Sequence, residues 1–129
     1  MKEIYSPDRI AEMILTIDPD FYLPSDEQRP IISIDTNPLE PAVVIAGAGS
    51  GKTETMAARV VYLVANQFAR PDQILGLTFT RKAAGELNTR IRKRLRQFQQ
   101  AQDKAGIERT FSSLETAVTT YHSYAGRLL

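Results

Sequence analysis

Apolar residues recur at helical spacing early in the chain: Ile10, Met13, Ile14 and Ile17 share one face. Ser6 is placed to cap that helix, Pro7 suits its first position, and Asp8 favours its positive end. Asp18-Pro19-Asp20 predicts its end, and five prolines between 18 and 41 predict mostly loop, with one short helix after Ser25. Pro30 is expected to disturb that helix, since an interior proline costs about 3 kcal/mol. Ala42-Val43-Val44-Ile45 reads as a buried strand. Met56, Val60, Leu63, Val64 and Phe68 then mark a helix to about Asn66–Ala69, broken by Pro71-Asp72. Ile74–Phe79 is short, apolar and β-compatible, predicting a second strand. From Arg81, the positions Ala84, Leu87, Ile91, Leu95 and Phe98 predict a long basic amphipathic helix to about Ala101. Residues 102–115 are polar and are expected to be an irregular excursion or a helical extension. Ala117–Thr120 predicts a third strand, and 121–129 the start of another helix.

Strand and helix alternating three times predicts right-handed βαβ crossovers and a parallel sheet, with ligands at the strands' carboxyl ends. A chain of 129 residues is about one domain's worth. It has no cysteine, which excludes disulfides and thiolate metal sites, and its one histidine, His122, excludes a multi-histidine site within the chain. No apolar run approaches a membrane span and the start is no signal peptide; the absence of cysteine fits a reducing cytoplasm, the location expected. The net charge of +1 conceals a split. Residues 1–40 carry nine acidic and three basic side chains, and 41–129 carry six and thirteen. Seven of the sixteen cations lie between Arg81 and Arg96, which suits either a polyanion-binding face or a solvated helix surface.

The chemistry is carried by Ala46-Gly47-Ala48-Gly49-Ser50-Gly51-Lys52-Thr53, directly after the first strand. Small side chains let a backbone wrap around phosphates, with N–H groups pointing inward and a helix N-terminus behind them. In such a P-loop Lys52 reaches the β- and γ-phosphates and the Thr53 hydroxyl ligates Mg²⁺; nucleotide contacts are expected through Glu54. Ala46 stands where the pattern usually begins with Gly, which an extended backbone tolerates. The competing reading is a glycine-rich turn without a ligand. Against it stand the preceding strand, Gly-Lys-Thr in register, and the helical pattern that follows.

Four segments in order resemble one family. Gln28, within Pro24-Ser25-Asp26-Glu27-Gln28-Arg29, resembles the Q motif, and 46–53 resembles helicase motif I. Thr78-Phe79-Thr80-Arg81-Lys82-Ala83-Ala84 resembles motif Ia, with Arg81 for the usual Asn. Thr120-Tyr121-His122-Ser123 resembles motif Ib, with Tyr121 for the usual Phe. Together they resemble the N-terminal part of the first RecA-like domain of UvrD/Rep/PcrA-type superfamily-1 DNA helicases, over about 24–129. Residues 1–23 stand outside the resemblance as an N-terminal helical extension. The fold it implies is a P-loop three-layer α/β/α domain with a parallel sheet, incomplete in this stretch.

The resemblance implies roles. Gln28 would read the adenine edge, although Ser25-x-x-Gln28 also fits a capping box. Thr78, Phe79, Thr80, Arg81 and Lys82 would line a single-stranded DNA path, although Phe79 equally fits strand core and Arg81 and Lys82 a plain surface. His122 and Ser123 would position a DNA-binding loop, without a catalytic role. Lys52 and Thr53 would be the catalytic contributors, with ATP and Mg²⁺ as cofactors. The implied function is an ATP-dependent helicase, a 3′-to-5′ single-strand translocase; the alternative is a non-catalytic nucleotide- or DNA-binding module. No strand ending in Asp or Asp-Glu follows the P-loop, so the second Mg²⁺-holding carboxylate and the remaining helicase domains are expected downstream of Leu129. The isolated chain is therefore expected to hydrolyse ATP very slowly.

Overall fold

A computed structural model describes residues 3–33, 42–45, 50–78, 80–112, 114 and 116–120, with backbone alone at 42–45, 50–52, 73, 117 and 119. Helix α1 spans Pro7–Leu15, with the Ser6 hydroxyl accepting from the Arg9 N–H at 3.1 Å. Helix α2 is the short Gln28–Ile32. Pro30 is its third residue and the helix ends two residues later; the Arg29 N–H already bonds to the Ser25 carbonyl four residues back, so the proline interrupts the ladder just after that bond and the helix stays short. Strand β1 is Ala42–Ile45 and helix α3 is Ser50–Ala65. A 3₁₀ turn at Pro71–Gln73 leads into strand β2, Ile74–Thr78. Helix α4 runs Arg81–Lys104, one turn longer than its apolar stripe predicts, because Ala101 and Gln102 are also buried. Strand β3 is Ala117–Thr120. The helix expected over 121–129 lies outside the described residues.

The strands form a parallel sheet in the order β1-β2-β3, Ile45 pairing with Leu77 and Thr78 with Thr120. Alternation along β2 turns Ile74, Gly76 and Thr78 to one face. Helix α4 packs closely there. A Cβ on Gly76 would stand 3.3 Å from Val118 and 3.4 Å from Leu87, so glycine lets the helix approach the sheet.

Helices α3 and α4 pack on each other and both reach the sheet; α1 lies across the pair and α2 against α3. Leu87, Ile91, Leu95 and Phe98 are fully buried in one core with Val60, Val61, Leu63 and Val64. Helix α3 is buried on more sides than an amphipathic stripe predicts, since α1, α2, α4 and the sheet all touch it. The N-terminal segment joins the same core through Tyr5, Ile10, Met13 and Ile14, and Tyr5 meets Phe98 edge-on at 5.2 Å. Asn66 fastens it. Its Oδ1 accepts from the N–H groups of Ile4 and Tyr5, and its Nδ2 donates to the Tyr5 and Tyr62 carbonyls. Among the described residues no helix is long and apolar enough to cross a membrane.

Candidate functional site

In-register parallel pairing brings the carboxyl ends of all three strands to one edge of the sheet. Ile45, Thr78 and Thr120 end there, so the P-loop, motif Ia and motif Ib segments all leave from the same edge. Ala46, Gly47, Ala48 and Gly49 lie outside the described residues, as do Phe79, His122, Ser123 and the side chains of Ser50 and Lys52. Four residues separate Ile45 from Ser50, so α3 starts close to the end of β1. Its first turn, Ser50-Gly51-Lys52-Thr53, holds no acidic residue, and Thr53 is half-buried. A helix N-terminus supplies positive potential there, with no carboxylate in its first turn to oppose it.

At motif Ia the local structure divides the candidates. Thr78 is fully buried, and its hydroxyl donates to the Thr80 carbonyl at 3.1 Å. Thr80 caps α4, its hydroxyl accepting from the Ala83 N–H at 3.0 Å. Both threonines therefore shape the turn. Arg81 and Lys82 are exposed in the first turn of α4, which has no acidic residue, and among the described residues neither has an ion-pair partner. Two cations at the positive end of a helix oppose its dipole by about 0.3–1 kcal/mol each. A phosphate beside them would reverse that cost.

Gln28 is engaged through both its backbone and its side chain. Its N–H donates to Ser25 Oγ at 3.2 Å while its Oε1 accepts from the Ser25 N–H at 2.9 Å, completing a capping box. Its Nε2 donates to the Thr55 hydroxyl on α3 at 3.0 Å. The amide thus stands against helix α3, in the wall of a small recess of about 30 Å³ that Tyr22, Pro24, Thr55 and Arg94 also line and that opens partly to solvent.

Glu54 and Arg94 depart from their sequence reading. The charge run at Arg90–Arg96 fits a solvated face, yet Arg94 is only 5% exposed. Its Nη2 donates to Glu54 Oε1 at 2.5 Å and its Nε to Glu54 Oε2 at 3.3 Å. Nη1 donates to Asp18 at 3.1 Å and to Gln97 at 2.7 Å, and the guanidinium lies 4.4 Å over the Phe21 ring. Arg90 adds a second cation to Glu54 at 3.1 Å. The Glu54 carboxylate is thereby committed inside the protein rather than to the phosphate loop. Burial pulls the Arg94 guanidinium down, but hydrogen bonds and charge from Glu54 and Asp18 outweigh it and hold the group above its ordinary value. The Arg94 hydrogen bond likewise holds the Asp18 carboxyl below its usual value. Helical phase carries the missed signal: Arg94 lies three residues after Ile91 and four before Phe98, on the buried stripe, and Glu54 lies three before Ala57.

Residues 25–129 match the model of the UvrD/REP helicase N-terminal domain. DNA helicase IV of Escherichia coli is 46% identical over 74 residues, covering 48% of this chain and 11% of its own length. The ATP-dependent DNA helicase PcrA of Bacillus subtilis is 37% identical over 94 residues, 60% of this chain and 13% of its own length. A probable DNA helicase II homolog of Mycoplasma capricolum is 32% identical over 100 residues, 77% of this chain and 11% of its own length. The chain thus spans about a tenth of the length of these relatives. With its motif segments leaving one edge of a parallel sheet, the chain belongs to the UvrD/REP helicase N-terminal domain family.

Proposed function

We propose that this chain is the N-terminal part of an ATP-driven DNA helicase that moves 3′-to-5′ on single-stranded DNA. The observation that carries the reading is the register of β1, β2 and β3, which sends the P-loop and both proposed DNA segments out from one edge. Proposed here too are the rest of a three-layer RecA-like domain and the further helicase domains.

In this reading the P-loop, Ala46–Thr53, encloses the phosphates of ATP through its backbone, with Lys52 neutralising their charge and Thr53 holding Mg²⁺. The bound Mg²⁺–ATP supplies the phosphoryl group and its leaving group. This chain's residues position and neutralise, which is most of what a protein contributes to phosphoryl transfer. Gln28 offers a donor and an acceptor to the adenine edge, which requires it to release Thr55 or Ser25. Arg81 and Lys82 hold DNA phosphates at the start of α4, with Phe79, His122 and Ser123 along the same path. Thr78 and Thr80 set the shape of the turn that presents the cations.

Calorimetric titration with ATP and Mg²⁺ tests the nucleotide half, with circular dichroism alongside. Lys52→Ala is expected to remove most of the affinity and leave the fold intact. Unchanged affinity would reject the P-loop reading.

A further inference from the structure

A buried ion pair is a poor way to dock two helices, because well-packed apolar residues of similar volume often do so at no loss of stability. What an ion pair adds is direction. Glu54 meets the Arg94 guanidinium with both carboxylate oxygens, a forked geometry that fixes the rotation of each partner. From the other side Asp18, Gln97 and the Phe21 ring hold the same guanidinium, so it has little freedom to swing.

The position of the pair gives that direction a use. Glu54 directly follows Thr53, in the first turns of α3. Arg94 sits mid-way along α4, thirteen residues after Arg81, or about 20 Å of helix. The pair therefore ties the rotation of helix α3 to a single continuous helix whose N-terminal end presents Arg81 and Lys82. We propose that Arg94 and Glu54 are positioning residues that couple nucleotide binding at the start of α3 to single-stranded DNA binding at the start of α4. The inference rests on the functional reading above. A displacement of α4 by DNA turns α3 through the fork, and a rotation of α3 on nucleotide binding is returned to Arg81 and Lys82. Such coupling must be reciprocal: nucleotide changes DNA affinity by the same factor as DNA changes nucleotide affinity.

The test uses the full-length protein, a labelled oligothymidylate, and a non-hydrolysable ATP analogue with Mg²⁺. DNA affinity is measured with and without the analogue, and the ratio of the two is the readout. The wild-type ratio is expected in the usual range for coupled sites, roughly 5–150-fold, falling to within about twofold of one in Arg94→Gln and Glu54→Gln. Glu54→Gln is nearly isosteric, so it keeps the test open if Arg94→Gln does not fold. A pair that only stabilises the fold would weaken both affinities and leave the ratio at its wild-type value, which would overturn the proposal. A wild-type ratio of one would overturn the coupling alone. Failure of the wild type to bind either ligand would overturn the functional reading and the coupling with it.

Discussion

The two ends of one charge run behave oppositely. Arg81 and Lys82 open α4 in solvent, against the helix dipole and without an ion-pair partner among the described residues. Arg94, on the same helix, is buried between Glu54 and Asp18 with a phenyl ring beneath it. All three carry a positive charge on one helix; what separates them is helical phase. Arg94 shares the stripe of Ile91 and Phe98, so helix packing carries it inward, where it needs anions supplied from two other segments. The first-turn cations lie beyond that packing, at the sheet edge where the candidate ligands would sit. A cation kept exposed at an unfavourable helix end points outward to a partner, and one drawn onto an apolar face points inward to another element.

Removing the buried member should have the largest effect. Among the described residues, Arg94→Ala leaves the Glu54 carboxylate only the half-exposed Arg90, and it strips Asp18 of its cation. Breaking a buried pair in this way costs about 3–5 kcal/mol. Urea denaturation should show that loss, whereas Arg81→Ala should stay within about 0.5 kcal/mol of wild type. Equal effects from the two substitutions would erase the contrast.

The next effect concerns the turn that separates strand from cations. Thr80→Ala removes the oxygen that accepts from the Ala83 N–H, and loss of an N-cap costs about 1 kcal/mol. Its DNA affinity should fall only as far as the turn loosens. A stable Thr80→Ala protein with sharply weakened DNA binding would instead make the hydroxyl a direct contact.

Acid titration sharpens the inner half of the contrast. The folded-state value of Asp18 lies below its ordinary 3.8, chiefly through the hydrogen bond from Arg94. Its contribution to stability is therefore complete above about pH 4 and is lost as pH falls through the lower folded-state value. Asp18→Asn should flatten the acid limb of the stability curve. Asp103, lowered by its hydrogen bond from Arg109, contributes with the same sign and should leave part of the slope. If Asp18→Asn leaves the acid limb unchanged, Asp18 is not held by Arg94 in solution.

Much of this architecture was legible from local chemistry. β1 and β3 have the bounds their sequences predict, and Ser6 caps α1 as its position before Pro7 implies. The Ser25–Gln28 capping box was readable for the same reason: both partners lie within one turn. What was not legible depends on distant residues. The partners of Glu54 lie thirty-six and forty positions away, and that of Asp18 seventy-six. Nothing local to Asp18-Pro19-Asp20 distinguishes a helix-ending turn from an ion-pair partner. The joining of the N-terminal extension to the main core had the same cause, since Asn66 reaches Tyr5 across sixty-one residues. Thr55, the partner of the Gln28 amide, was equally hidden. The candidate site was readable as motifs, because P-loop and motif Ia chemistry is contiguous in sequence; the elements that orient it were not.

The smallest effect on stability is also the sharpest test of the outer half. Arg81→Ala and Lys82→Ala touch no partner within the described residues, so each should change the unfolding free energy by less than about 0.5 kcal/mol. Their effect should appear in DNA binding by the full-length protein, where the whole groove is present. Each cation withdrawn from a phosphate should flatten the slope of log affinity against log salt by roughly 0.7 for a single strand. It should do so for homopolymers of different base, because cations on phosphates position the strand without reading it. Charge reversal at Arg94 cannot serve as the comparison, since it would place a third anion beside Glu54 and Asp18 and break the interior. Lys93→Ala, on the exposed side of α4, is the matched control, and it removes one cation with no expected change in slope. An unchanged slope in the Arg81, Lys82 double variant would return both residues to ordinary surface. The contrast along α4 would then be one of burial alone, with the outward cations serving solubility rather than a partner.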